Sequence, residues 1–224
     1  MWRYIYCGLL LAVLLPLASC TGNTHPENQT ESELAMGAYK KVLQNEKKFF
    51  MTPDLGKTYL YDYYIGTGTD FSDFTVDELT EMLSFTVMDI DEDGMPEVVI
   101  KFHWLSMNVL RYEKGITYGY FLGVRQMDEL KKDGSSGWDD GIGEWGYHKY
   151  RFSGKSYTRI DLGYLDWWSN PDDDACDYYI DGIAVTEEEF EAFCDKQDAK
   201  EDVVWYEFTE ENIRNLEKLY DAAG

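Results

Sequence analysis

Hydrophobic and polar residues follow three regimes along this chain. Ile5 to Leu17 is an unbroken apolar run, and Thr21 to Ser32 is polar throughout with one proline. From there the apolar positions become periodic. Leu34, Ala35, Tyr39, Val42, Leu43 and Phe50 keep to one helical face with lysines opposite, which predicts a helix over about 32–50. Thr30-Glu31-Ser32-Glu33 supplies its capping box, and Pro53 and Gly56 supply its end. The tyrosine-rich stretch 58–65 reads as extended. Val76 to Leu83, preceded by Thr75, reads as a short helix.

The period then drops to two. Phe85–Ile90 and Glu97–His103 read as strands flanking an acidic turn. Met107–Tyr112 and Ile116–Leu122 read as a hairpin turned at Glu113-Lys114-Gly115. Gln126–Lys132 predicts a helical turn and 134–146 a glycine- and acid-rich loop. Tyr147–Phe152 and Tyr157–Trp168 predict strands turned at Ser153-Gly154-Lys155, followed by an acidic loop at 170–174. A short hairpin, 178–185, leads into a helix capped by Thr186 with Glu189 in capping-box position. Val203–Phe208 predicts a last strand. Thr209 caps a final helix with Ile213, Leu216 and Leu219/Tyr220 on its apolar face. Helices at both ends and strands between them predict an α+β fold, an antiparallel sheet flanked by N- and C-terminal helices. No repeat of fixed period is visible.

The first apolar run is shorter than the roughly 20 residues that span a bilayer. With Arg3 ahead of it, it has the order of a signal-peptide core. An ordinary signal peptide with a chance cysteine is one reading of its end. Leu17-Ala18-Ser19-Cys20 also resembles a lipobox. That resemblance implies removal of residues 1–19, a diacylglycerol on the Cys20 sulfur, and attachment to the outside of a bacterial cell membrane. Residues 20–32 then form a flexible tether and 33–224 one α+β domain.

The formal net charge of −23 repels nucleic acid and anionic lipid headgroups and favours cationic partners. Cys7 leaves with the signal. Cys176 and Cys194 remain, open either to a disulfide of about 3 kcal/mol or to two buried thiols.

Residues 89–100 read Asp-Ile-Asp-Glu-Asp-Gly-Met-Pro-Glu-Val-Val-Ile. Carboxylates at Asp89, Asp91 and Asp93 can converge on one cation, with Gly94 allowing the turn, the Met95 carbonyl as a further ligand and Glu97 closing the shell. The alternative is an acidic turn without metal, in which the close carboxylates repel one another. The loop resembles the first half of an EF-hand, but Ile100 stands where the bidentate Glu belongs and the flanks are strands. It is closer to the Asp-x-Asp-x-Asp-Gly calcium hairpin of integrin-like propeller blades and related bacterial surface proteins, without their repeats. That resemblance implies a structural Ca²⁺ site with a Kd of about 10⁻⁴ to 10⁻³ M.

A wider resemblance rests on Ala38-Tyr39-Lys40, the hairpin with Pro96-Glu97, Tyr178-Tyr179-Ile180-Asp181-Gly182 and Val185-Thr186-Glu187-Glu188-Glu189-Phe190. Together these look like uncharacterised lipoproteins of Gram-positive gut anaerobes. The resemblance implies location and fold, with no activity attached.

Catalytic signatures are weak. Gly56-Lys57-Thr58 lacks the upstream glycine of a phosphate loop, Met51 standing in its place. His25, His103 and His148 have no zinc spacing, and no Gly-x-Ser-x-Gly occurs. Trp138 and Trp145 bracket Asp139 and Asp140 in the glycine-rich loop. Such a set can bind sugars or cations if exposed, or be plain aromatic packing. The expected function is a calcium-stabilised, membrane-anchored binding module for an unknown surface ligand or protein, without enzymatic activity. A cell-envelope glycan hydrolase using a carboxylate pair (Asp139/Asp140 or Asp172–Asp174) and an accessory to envelope machinery are the alternatives.

Overall fold

A computed structural model describes residues 29–223 apart from 53–55, 67–73, 104–105, 142 and 168–175. Cys20, the lipobox, most of the tether and the 170–174 loop lie outside the described residues. The elements run α1 (Glu31–Leu43), β1 (Phe49–Thr52), β2 (Gly56–Thr58), α2 (Leu60–Gly66), α3 (Val76–Glu81), β3 (Leu83–Met88), β4 (Glu97–Phe102), β5 (Ser106–Glu113) and β6 (Ile116–Leu122). They continue with β7 (Ser136–Asp139), β8 (Trp145–Ser153), β9 (Ser156–Asp166), β10 (Asp177–Ile180), β11 (Ile183–Val185), α4 (Glu187–Asp198), β12 (Tyr206–Glu207), α5 (Glu210–Arg214) and α6 (Leu216–Ala223). The fold is α+β, as the pattern predicts.

The strands form two sheets rather than one. The larger has the order β12-β3-β4-β5-β6-β1-β2 and the smaller β11-β10-β9-β8-β7. All their pairings are antiparallel except β1–β6, where Phe50, Met51 and Thr52 run beside Tyr118, Gly119 and Tyr120. Alternate residues of the large sheet serve two cores, as the two-residue period of a strand requires. Leu83, Phe85, Val87, Val98, Ile100 and Leu110 pack against α1, α2 and the C-terminal helices. Met88, Val99, Met107, Val109, Tyr120 and Leu122 pack the other way, onto Met127, Leu130, Tyr150, Phe152 and Val203. Covering both faces explains why Val98-Val99-Ile100 is continuously apolar.

Four threonine caps hold helix starts as expected: Thr30, Thr75, Thr186 and Thr209 each accept a backbone N–H, the first three in full capping boxes. Several expectations are corrected. The first helix begins at Glu31 and stops at Leu43, because Asn45 takes a left-handed φ of 58°. Phe50 therefore lies in β1, and Leu34 is exposed. The tyrosine-rich stretch is helical over Leu60–Gly66, with Leu60, Tyr63 and Tyr64 on its buried face. The segment around 126–132 is not a helix: Asp128 forms a bridge with Gly137 and Lys131 with Asp202. Part of the expected 134–146 loop is strand β7, and the 203–208 strand is only two residues long. Among the described residues no helix is long and apolar enough to cross a membrane.

Candidate functional site

The acidic hairpin joins the two sheets. Met88 pairs with Glu97, so residues 89–96 form the turn between β3 and β4. Inside it, Asp89 accepts the N–H groups of Asp93 (3.0 Å) and Gly94 (2.8 Å), and Asp93 accepts that of Met95 (3.0 Å). Gly94 takes a φ of 88°, the left-handed conformation for which a glycine is suited. Behind the turn, the Tyr39 hydroxyl donates to the Pro96 carbonyl (2.8 Å) and accepts from the Tyr112 N–H (2.7 Å). On the far side, Asp91 accepts the Phe152 N–H of β8 at 3.0 Å. Lys149 of the same strand donates to Glu92 at 2.9 Å.

Asp89, Asp91 and Glu97 each offer a carboxylate oxygen, and these three atoms lie within 4.8 Å of one another. Two ligands on opposite sides of a calcium ion at about 2.4 Å are about 4.8 Å apart, so the spacing suits that ion. Asp93, expected as a fourth carboxylate ligand, is turned to Arg111 instead. The Met95 contact recorded in the turn is its N–H rather than its carbonyl.

Arg111 is the residue the motif does not announce. Its guanidinium donates to Glu97 (2.6 Å) and to Asp93, and lies 3.4 Å from Asp91. The Glu97 and Asp91 side chains are 0% and 1% exposed, so the charges meet away from water. Burial, followed by the Asp91 charge, pushes the Glu97 carboxyl well above its usual range, with Arg111 opposing. Asp91 is raised chiefly by burial, against the Phe152 N–H. Asp93 feels burial too, but hydrogen bonds from Arg111 and the Met95 N–H hold it low. One guanidinium against four carboxylates leaves the site with excess negative charge and an all-oxygen donor set. Both suit a hard dication. A signal for Arg111 exists: on β5 it shares a face with Met107 and Val109, where an isolated charge needs a partner.

The second candidate set divides. Trp138 is buried (6% exposed), its ring stacked on His148 and lying 4.5 Å from the Arg159 guanidinium. Trp138 thus follows the aromatic-packing reading. Trp145 is exposed and packs on Phe190 at 5.4 Å. Asp139 and Asp140 are occupied in turns, accepting the N–H groups of Gly141 and of Gly143 and Glu144 respectively. Three of the four still line one open depression of about 220 Å³: Trp138, Asp139 and Trp145, together with Asp128, Glu129 and Tyr147. A larger groove of about 510 Å³ runs past Met82, Lys101 and Trp205, where Lys101 Nζ already lies 5.2 Å from the Trp205 ring.

The possible Cys176–Cys194 disulfide is not formed; both are free thiols. The Cys176 S–H donates to the Tyr178 hydroxyl at 3.0 Å. Cys194 sits on α4, where burial and then the Asp198 charge push its thiol up to about 11. No family model, curated protein or solved structure matches the chain.

Proposed function

We propose that this protein is a lipid-anchored extracytoplasmic binding module whose acidic hairpin takes a structural calcium ion. The observation that carries the reading is the convergence of the Asp89, Asp91 and Glu97 oxygens at the place where the hairpin meets β8. A cation there would draw the turn and the strand bonded to Asp91 onto one centre, fixing one sheet against the other. Its chemistry would be neutralisation of charge, with no reaction attached. Asp89, Asp91 and Glu97 would hold it, and Asp93 would join on release from Arg111. The anchor rests on the apolar run and the Cys20 lipobox at the head of a polar segment.

Thermal melting tests the ion. Millimolar Ca²⁺ should raise the Tm of the wild type, since a ligand at ten times its Kd contributes about 1.4 kcal/mol. Asp91→Ala should abolish that rise. A wild-type Tm that does not respond to calcium refutes the metal. For the anchor, the mass of protein recovered from membranes should match a chain starting at acylated Cys20; retention of residues 1–19 refutes it.

A further inference from the structure

The geometry points to a docking face for an anionic lipid surface where β1 and β2 end the large sheet. The inference rests on the lipid-anchor reading for its partner and takes nothing from calcium. Phe49 is buried in the core under α1, so its neighbour Phe50 points to the other face. Phe50 pairs with Lys57. The next pair on that face in the same register is Lys48 with Tyr59, and Lys48 Nζ lies 4.9 Å from the centre of the Tyr59 ring. Lys155, from the β8–β9 turn of the other sheet, sets its Nζ 4.6 Å from the centre of the Phe50 ring. Tyr118 meets Phe50 edge-on at 6.0 Å. Lys41 and Lys47 adjoin, the Lys47 N–H donating to the Lys41 carbonyl at 3.0 Å. All five lysines are exposed, and none forms an ion pair among the described residues.

The sign of this face is opposite to that of the chain. Residues 41–61 hold four lysines against Glu46 and Asp54, in a protein of net charge −23. Screening over about 8 Å at physiological ionic strength leaves the local sign in control at contact, whatever the distant acids do. Glu113, beside the turn that carries Lys155, is occupied by the Gly154 N–H and by Lys114. Lysines also guard free strand edges against pairing, but that role does not account for Lys155, which arrives from the other sheet. Ammonium groups on apolar stems beside aromatic rings suit a bilayer interface: the charges meet lipid phosphates while stems and rings lie at the headgroup boundary. The anchor decides which surface is met. From Cys20 to Glu31 an extended chain reaches at most about 40 Å. The 13 residues of α1 then run about 20 Å to the end that carries Lys41. The face thus stays within reach of the bilayer that holds Cys20. A soluble polyanion would meet the same lysines without that raised effective concentration.

The test is lysine reactivity on vesicles. Protein recovered from membranes is reconstituted with phosphatidylcholine alone or with added phosphatidylglycerol, in a calcium chelator throughout. Its lysines are briefly acetylated and read by mass spectrometry. Lys48, Lys57 and Lys155 should react about fivefold or more slowly on the anionic vesicles, and high salt should remove the protection. Lys196 on α4 and Lys218 on α6, also exposed, should react equally on both. The double variant Lys48→Glu/Lys57→Glu, at exposed positions that need not disturb folding, should restore the reactivity of Lys155. Equal reactivity of the three lysines on both vesicle types overturns the proposal. So does protection of Lys155 that survives the double variant, or protection by soluble polyphosphate with none by lipid. Flotation separates this face from the anchor. A chain that fails to float with neutral vesicles loses the anchor, whereas salt-sensitive flotation with anionic vesicles alone keeps the face. A chain that floats with neither loses both.

Discussion

Arg111 Nη1 lies 2.6 Å from Glu97 Oε1, and the two residues stand one register step beyond the Val98–Leu110 pair of β4 and β5. The ion pair is thus an extension of the sheet ladder into the acidic turn. Arg111→Leu leaves Glu97 and Asp91 buried without their cation. Loss of one partner of a buried pair costs about 3–5 kcal/mol. Urea unfolding in chelator should show a loss of that order, and millimolar calcium should recover part of it. An unchanged midpoint would show that the guanidinium is not the counter-charge.

Tyr39 supports the same turn from the helical side. Tyr39→Phe removes the hydroxyl that bridges the Pro96 carbonyl and the Tyr112 N–H. With two backbone groups left unpaired, a loss of about 1–3 kcal/mol is expected in denaturant unfolding. Chemical shifts of residues 89–97 should move with it.

His148 makes stability depend on pH. Burial, and secondarily the Arg159 charge, lower its pKa to about 3. The unfolded imidazole titrates near 6.5. Between those values the unfolded chain binds a proton that the folded chain refuses, so stability rises with pH across this window and falls as pH drops from about 6.5 toward 3. Below about 3 both states are protonated and the loss stops growing. The slope from this one group is about 1.4 kcal/mol per pH unit. His148→Phe should flatten the pH profile of unfolding there. In NMR the wild-type His148 ring should stay neutral at pH 5; a midpoint near 6.5 contradicts the buried, neutral state.

Gly146 permits β8 to approach β9 closely. A Cβ there would lie 2.2 Å from the Gly163 carbonyl oxygen and 2.7 Å from the Tyr164 Cα. Both are backbone atoms, so the strands must part to admit it. Gly146→Ala should destabilise by about 1–3 kcal/mol or more, read as a lower Tm. Gly154→Ala, where a Cβ meets nothing within 4 Å but φ is +53°, should cost less.

What the sequence disclosed was mainly local. A threonine followed three residues later by a glutamate marks a helix start without reference to the rest of the chain, and Thr30, Thr75 and Thr186 all do so. The turn chemistry was equally visible: Asp181 and Gly182 both take positive φ between β10 and β11. Leu60, Tyr63 and Tyr64 carried a helical spacing that aromatic composition obscured. The division into two sheets depends on contacts no short window contains, such as the Phe152 N–H reaching Asp91. At the hairpin the motif located the carboxylates, but Arg111 enters from another strand and redirects Asp93. Backbone donors and cross-strand partners leave little trace in residue type.

The parallel alignment of β1 with β6 also orders events in time. Phe50 reaches its neighbour Tyr118 only after the intervening chain has been made. The β1–β2 and β5–β6 hairpins can each close locally, while joining β1 to β6 needs contacts across more than sixty residues. Long-range closure of this kind slows folding. The β1–β6 pairing is thus expected to close late in folding, after the local β5–β6 hairpin.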